Sequence, residues 1–319
     1  MIYAPIIIPT LNRFEHFKNC LESLSKCTHA EFTEVFIGLD YPPSEKYFEG
    51  YNLIKDYLTK IGNLRFKKIN VYKREKNYGP GPNFIDLKRI VFEKYDRVIC
   101  TEDDNVFSPC FLDYMNKSLE KYFDDPTIAS VCGFNKQQHY VHSHTTYLSR
   151  VSSAWGIGLW KHKEVKIQTS LSDKEIFKRE IFSWRRAIYY YFHNPFTLII
   201  ASSMLRKDHL LGDVCRTIIN HKNGLYQLRP CISLVKNMGY DGSGVHGGNV
   251  IFANLPINES LEFFDDKRLP STSYISKRIE YIDGFSLKLL NRIIQILFLV
   301  PFSYIYNKLL YNNRYIYSK

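Results

Sequence analysis

The first hundred residues alternate short apolar runs with amphipathic segments, and this alternation constrains the fold more than any other feature of the sequence. The runs with the length of a buried strand are residues 2–8, 35–39, 66–72 and 97–100. The segment after the first run places Phe14, Phe17 and Leu21 on one face of a helix. Strands that alternate with helices in this way predict an α/β fold with a mainly parallel sheet flanked by helices.

Polar residues mark the predicted ends of the helices in this part of the chain. We expect Asn12 to cap the first helix and Ser44 to cap the second, which reaches about Ile61. A third helix is expected from Asn83 to about Lys94.

Further elements are predicted in the middle of the chain, where the pattern is less regular. They are a helix opened by Ser108 and Pro109, a strand at 128–132, a helix through 184–192 begun by a capping box of Ser172 and Glu175, a helix at 207–222 and a strand at 232–235.

The predicted sheet also indicates where a ligand would bind. Ligands of parallel α/β sheets bind beyond the carboxyl ends of the strands. We therefore expect the loops after Ile8, Leu39, Tyr72 and Cys100 to meet at one crevice.

Composition favours a folded protein with anionic partners. The chain has 319 residues, with 45% hydrophobic and 24% charged residues, which is the balance of a globular protein. Its formal charge of +11 favours polyanions, anionic lipid headgroups or phosphorylated substrates. The seven cysteines show no metal-binding spacing, and the chain begins without a secretion signal, so we expect a cytoplasmic protein.

Three consecutive acidic residues, Glu102, Asp103 and Asp104, follow the fourth predicted strand. Neighbouring carboxylates repel one another, so a cation or strong hydrogen-bond donors should lie beside them. Mg²⁺ and Mn²⁺ bind through one or two protein carboxylates and fill their remaining positions with substrate phosphates. The triplet therefore predicts a divalent metal site suited to a diphosphate.

Six features follow one another along the chain: PIIIPTLNR at 5–13, Asp40 after the second strand, NYGPGPN at 77–83, TEDDN at 101–105, SAWGIGLWK at 153–161 and LVKNMGYDGSGVH at 234–246. Together they resemble glycosyltransferases of the GT-A fold, near the family 2 enzymes of bacteria and the N-acetylglucosaminyltransferase I type with its Glu-Asp-Asp triplet. The resemblance implies a Rossmann-like sheet and a UDP-sugar donor, with Mn²⁺ or Mg²⁺ as cofactor.

The resemblance also implies roles for particular residues. Asp104 and His246 would hold the metal. The nucleotide-sugar would lie against Thr10, Arg13, Asp40, Asn77, Gly79 and Asp103, with Asp40 accepting hydrogen bonds from the base. We also expect Glu102 and Trp155 at this site; Trp155 and Trp160 either stack on the sugar or pack in the core.

The implied reaction is an inverting transfer, which needs a carboxylate to take the proton of the acceptor hydroxyl. Asp213 lies at about the expected distance along the chain and is the predicted base. Asp173, Asp208 and Asp241 remain alternatives.

The predicted organisation is a catalytic domain at 1–255 and an extension at 256–319. Within the domain, 1–135 would bind the nucleotide-sugar and 136–255 the acceptor, a glycan or a lipid-linked molecule of surface polysaccharide synthesis. Residues 277–319 hold seven basic and two acidic residues among many apolar ones. Such a tail suits the inner face of the cytoplasmic membrane, although a helix packed on the catalytic body fits it equally well.

Two other functions compete with this interpretation. A sugar nucleotidyltransferase also uses a doubly wound sheet and acidic metal ligands, but it needs a glycine-rich loop after the first strand, where residues 9–13 contain no glycine. A non-catalytic basic protein that binds membranes or nucleic acid fits the charge, but the sequence carries no nucleic-acid-binding motif.

Overall fold

The computed structural model describes residues 2–135, 146–171, 173–239, 257, 297 and 300–316. The strands are β1 (Ile6–Thr10), β2 (Glu34–Leu39), β3 (Lys68–Lys73), β4 (Arg97–Cys100), β5 (Asn105–Phe107), β6 (Ile128–Cys132), β7 (Thr146–Ser149), β8 (Ile157–Trp160), β9 (Tyr226–Pro230) and β10 (Val235–Asn237). The helices are α1 (Phe14–Ser25), α2 (Phe48–Leu58), α3 (Pro80–Lys94), α4 (Phe111–Lys121), α5 (Lys161–Leu171), α6 (Lys174–Phe182), α7 (Trp184–His193), α8 (Pro195–Lys207), α9 (Gly212–Asn223) and α10 (Val300–Ile316).

An eight-stranded sheet with the order β3-β2-β1-β4-β8-β6-β9-β7 forms the centre of the fold. Strands β3, β2, β1 and β4 are parallel, and β8 runs antiparallel to β4 and to β6. In the register of β1, Ile7 lies opposite Phe36 on one side and Cys100 on the other. The predicted α/β fold, with a mainly parallel sheet, flanking helices and a C-terminal helix, is confirmed.

Helix α3 covers the parallel part of this sheet. Its residues Leu87 and Val91 are fully buried and pack in one cluster with Ile7, Val98 and Leu159 of the sheet. Burial of this apolar surface fixes α3 against β1, β2 and β4, and so holds the carboxyl ends of these strands in place.

The chain divides into two compact units. The first comprises Met1–Leu148, Ser153–Glu164 and Gln227–Arg268, and the second comprises Ser149–Ser152, Val165–Tyr226 and Leu269–Lys319. The large sheet and the small antiparallel pair of β10 with β5 belong to the first unit, and α6 to α10 belong to the second.

No helix in the described part of the chain combines the length and the hydropathy needed to cross a bilayer.

Several predicted helix starts in the first unit were wrong. Arg13, and not Asn12, precedes the first turn of α1, and no side chain caps that helix. Ser44 is followed by a short 3₁₀ turn before α2 begins at Phe48. Helix α3 begins at Pro80 because proline is well tolerated in the first helical turn, where its missing N–H has no partner to lose.

Two predicted helices of the second unit are each divided in two. The helix predicted through 184–192 is α6 and α7, and its start is capped by Asp173, which accepts hydrogen bonds from Glu175 N at 2.9 Å and Ile176 N at 3.3 Å. Ser172 lies outside the described residues. The helix predicted at 207–222 is the end of α8 followed by α9, with Asp208 between them in the left-handed region at φ 58°. The strand predicted at 232–235 lies further along the chain, as β10 at Val235–Asn237.

Candidate functional site

The carboxyl ends of β1, β2 and β4 lie side by side because these strands are parallel neighbours in the sheet. Thr10 is the last residue of β1, Asp40 follows β2, and the triplet Glu102, Asp103 and Asp104 follows β4. The structure therefore brings these predicted residues to one edge of the first unit.

Arg13 of the loop after β1 bridges the two aspartates of the triplet. Its Nη1 donates a hydrogen bond to Asp104 Oδ2 at 2.9 Å, and its Nη2 pairs with Asp103 Oδ1. Thr10 Oγ1 donates to the other oxygen of Asp103 at 2.8 Å. The repulsion expected between adjacent carboxylates is thus offset by a guanidinium of the protein itself.

Burial makes this cluster of charges sensitive to its partners. Asp103 and Asp104 are only 6% and 7% exposed. Burial raises the pKa of the Asp103 carboxyl, and the charge of Arg13 offsets only part of that rise. Burial alone would lower the pKa of Arg13, but Asp103 and Asp104 outweigh it and the pKa is raised.

Asn237 completes the contacts of Asp104, and sequence reasoning did not identify it. Strand β10 pairs antiparallel with β5, and this register places Asn237 opposite Asn105. Asn237 Nδ2 donates to Asp104 Oδ1 at 2.7 Å and to Asn105 Oδ1 at 3.0 Å. The pairing of these two strands therefore places β10, with Asn237, next to the acidic triplet.

Gly239 also approaches the aspartates, two residues after Asn237. A Cβ atom placed on Gly239 would collide with Asp104 Oδ2 and lie 3.2 Å from Arg13 Nη1. Only a residue without a side chain leaves this ion pair undisturbed. The run of glycines after 238 was visible in the sequence, but the contact needed the structure.

Asp40 organises the loop that precedes α3. Its carboxylate accepts hydrogen bonds from the backbone N–H of Tyr41 at 2.9 Å, of Tyr78 at 2.8 Å and of Gly79 at 2.8 Å. Asn77 Nδ2 is a fourth donor, at 3.3 Å. These four bonds occupy the acceptor positions of the carboxylate, so Asp40 positions Asn77 and Gly79. Its contact with a base stays a prediction.

The two tryptophans of the 153–161 segment have different environments. Trp160 is fully buried and donates from Nε1 to the carbonyl of Leu119 at 2.8 Å, so it is a core residue. Trp155 is partly exposed and donates to Glu102 Oε2 at 3.1 Å. Its indole edge therefore lies at the triplet, where the sequence placed the sugar.

The oxygen-rich edge has the donor chemistry of a site for Mg²⁺ or Mn²⁺ that substrate oxygens complete. Carboxylates are the ligands that these cations prefer, and Asp104 is the residue that would hold one. Arg13 and Asn237 now occupy both oxygens of Asp104, so a cation would have to replace at least one of them. No group of three or more His, Cys, Asp or Glu side chains suited to a metal occurs among the described residues.

The remaining predicted residues lie elsewhere. His246 and Asp241 fall outside the described residues. Asp213, in the first turn of α9, belongs to the second unit with Asp173 and Asp208. Asp173 caps α6, and Asp208 pairs with Lys174 Nζ at 2.6 Å, so both have structural roles. The choice of Asp213 as base stays a prediction.

Comparison with known proteins adds limited information. No protein-family model matches the chain, and no curated protein does. Among solved structures, the chain is similar to the mannosyltransferase PcManGT from Pyrobaculum calidifontis, in complex with GDP-Man and Mn²⁺, with a TM-score of 0.42 and 11% identity over 69% of this chain and 68% of that one. It is also similar to S. aureus TarS 1-349 in complex with UDP-GlcNAc, with a TM-score of 0.35 and 15% identity over 52% of this chain and 47% of that one. Likenesses with TM-scores below 0.5 establish no activity for this chain.

Proposed function

We propose that this protein is a glycosyltransferase that moves a sugar from a nucleoside diphosphate donor to an acceptor hydroxyl. The observation that carries the proposal is the bridging of Asp103 and Asp104 by Arg13 at the carboxyl ends of the parallel strands. Ligands of such sheets bind at this edge. The joint presence of carboxylates and a guanidinium there suits a diphosphate and its cation.

Each group has a distinct task in this proposal. The guanidinium of Arg13 would bind diphosphate oxygens in place of the aspartates, and Asp104 would then be free to hold Mn²⁺ or Mg²⁺, with His246. A bound cation of this kind supplies positive charge that stabilises the departing diphosphate. Asp103 and Glu102 would contact the ribose and the donor sugar, which Trp155 would cover.

The proposed reaction inverts the configuration at the anomeric carbon. The acceptor hydroxyl attacks from the face opposite the diphosphate, through a transition state with oxocarbenium character. Asp213 would take the hydroxyl proton. A positioned general base contributes about 10²- to 10⁴-fold to the rate.

The donor is proposed to be a UDP-hexose, which would make the enzyme a hexosyltransferase. Support for uridine comes from the resemblance of the NYGPGPN and TEDDN segments to the GT-A enzymes. A glycan or lipid-linked acceptor in bacterial surface polysaccharide synthesis, with the enzyme at the inner face of the membrane, agrees with the basic and apolar extension at 256–319.

The direct test is slow hydrolysis of nucleotide sugars. The protein is incubated with a panel of these donors and Mn²⁺, and the free nucleoside diphosphate is measured. We expect release from one donor class in the wild type and none in Asp104→Ala. Equal release by both proteins, or no release from any donor, would count against the proposal.

A further inference from the structure

Three helices of the second unit expose large apolar side chains. Within each of α7, α8 and α10, exposed apolar residues recur three or four positions apart, which places them on one side of that helix. The exposed residues are Trp184, Ile188, Phe192, Phe196 and Ile200, together with Phe302, Ile305, Tyr306 and Leu309 of α10. We call this set the apolar face.

These helices are already anchored in the unit by other residues. Helix α8 buries Leu198, Ala201 and Leu205. Asn307 of α10 is buried and donates to Ser202 Oγ of α8 at 3.1 Å, while Arg206 Nε donates to Asn307 Oδ1 at 2.7 Å. The helices therefore do not need the apolar face for packing within the unit.

Exposure of large apolar side chains to water is energetically unfavourable. Trp184 is 66% exposed and Phe302 is 70% exposed. Amphipathic helices normally bury one apolar stripe and leave polar residues outside. A large uncovered apolar set marks a surface that binds a partner.

Charge indicates the nature of the partner. Helices α7, α8 and α10 contain six basic residues and no Asp or Glu. Arg185 and Lys207 are exposed, the guanidinium of Arg185 lies 5.3 Å from the ring of Trp184, and the carboxylate of Asp208, which follows Lys207, is paired with Lys174. Apolar aromatics beside cations without carboxylates are typical of helices that lie in the interface of an anionic bilayer.

We infer that the apolar face docks on the surface of an anionic lipid bilayer. The aromatic and aliphatic side chains enter the headgroup region, while Arg185 and Lys207 contact lipid phosphates. The inference is independent of the proposed sugar transfer, because none of its residues has a role in that reaction. It also differs from binding through the basic extension alone, because α7 and α8 lie outside 256–319.

The experiment is cosedimentation of the full chain with vesicles. One vesicle preparation is phosphatidylcholine alone, and the other contains about a third phosphatidylglycerol. We expect partitioning into the anionic vesicles to exceed that into the neutral ones about tenfold at low salt and to weaken as salt is added.

Two variants test the apolar face itself. Trp184→Ser with Phe192→Ser alters α7, and Phe302→Ser with Leu309→Ser alters α10. Each should lower partitioning into the anionic vesicles about tenfold, with the thermal midpoint unchanged because all four side chains are exposed. The use of two helices keeps the test valid if one variant fails to fold.

The matched control changes two equally apolar and exposed residues of the first unit, Leu53→Ser with Ile85→Ser, which are 47% and 51% exposed. It should bind as the wild type does. The inference is overturned if the variants of the apolar face keep wild-type binding to anionic vesicles, or if the control variant loses as much binding as they do. It is also overturned if the wild type does not bind anionic vesicles. Dimerisation abolished by the same face variants, without vesicle binding, would assign the face to a second copy instead.

Discussion

Arg13 donates a hydrogen bond to Asp104 across 2.9 Å, and so a residue of the loop after β1 balances charge at the end of β4. Arg13 also pairs with Asp103, and both aspartates are buried. The side chain of Arg13 is 23% exposed, so a ligand can reach it. The guanidinium of Arg13 thus lies beside Asp104, where the proposed reaction places a metal ion and a diphosphate.

Substitution of Arg13 by Met should destabilise the first unit by about 3 kcal/mol, because it leaves two buried carboxylates without their cation. Burial already raises the pKa of Asp103, and loss of Arg13 raises it further. A raised carboxyl pKa means that the folded state gains a proton before the unfolded state as pH falls. The difference in unfolding free energy between Arg13→Met and the wild type, measured by chemical denaturation, should therefore become smaller as the pH is lowered from 7 to 5. Mn²⁺ should also reduce this difference.

Arg65→Met is the control for this measurement. Arg65 pairs with Glu31 at 2.7 Å, but the side chains are 60% and 43% exposed. Because solvent screens this exposed pair, its loss should leave the unfolding free energy at the wild-type value. A deficit in Arg13→Met that is equally large at pH 5 and pH 7 would contradict the explanation.

Gly239→Ala should weaken the site through steric contact alone. The added methyl group would collide with Asp104 Oδ2 and displace it from Arg13. We expect a loss of about 1 to 3 kcal/mol in stability and weaker binding of Mn²⁺ with nucleotide, measured by calorimetry. Gly62→Ala adds its methyl group to open space and should leave both unchanged. Wild-type binding in Gly239→Ala would show that the close approach has no role.

Asp213→Asn separates catalysis from binding. If Asp213 is the base, the variant should keep its affinity for the nucleotide within a few-fold while turnover falls about 10²- to 10⁴-fold. The measurement is nucleotide affinity by calorimetry beside the rate of transfer. Asp173→Asn and Asp208→Asn provide the comparison, because both residues have structural contacts in the same unit. Full activity in Asp213→Asn would refute the assignment.

His221 should make the second unit acid-sensitive. Burial, with the nearby charge of Arg150, lowers the pKa of His221 to about 3. Arg150 Nη1 donates to Tyr189 Oη at 2.8 Å, and the same hydroxyl lies 3.0 Å from His221 Nδ1, so His221 is held beside a cation. The unfolded state takes up a proton below about pH 6.5, before the folded state does, so stability present at pH 7 is lost as pH falls.

This effect should remove about 2 kcal/mol of unfolding free energy between pH 7 and pH 5. In His221→Gln that part of the loss should disappear, whereas His209→Gln, at an exposed position, should behave as the wild type does. Chemical denaturation at the two pH values measures both. The same pH dependence in His221→Gln and the wild type would contradict the assignment.

The local pattern of the sequence was sufficient for the parallel half of the fold. Apolar runs matched β2 and β4 closely because each is buried along its whole length, and the same is true of β6 outside the parallel strands. Helix boundaries were less predictable. The break at Ser183 and the left-handed turn at Asp208 each depend on the backbone angles of one residue, and serine and aspartate also occur inside helices, so the periodic pattern did not locate them.

The candidate site was predictable where its residues follow strands. The triplet was identified from its place after a predicted strand, and Thr10 and Asp40 from the resemblance to the GT-A enzymes; parallel neighbours bring these strand ends together. Asn237 was missed because its position depends on the antiparallel pairing of β10 with β5, which places Asn237 opposite Asn105 from a distant part of the chain. The hydrogen bonds that the loop before α3 donates to Asp40 were also beyond local sequence patterns.

The most direct test of the central claim is the position of a bound manganese ion. Crystals soaked with Mn²⁺ and UDP would be measured at the manganese absorption edge, and the anomalous peak located. The account predicts a peak in contact with the Asp104 carboxylate and with diphosphate oxygens, at about 2 Å. It also predicts that Arg13 has turned from Asp104 toward the diphosphate. Bound UDP without manganese at Asp104, or with Arg13 still paired to both aspartates, would contradict it.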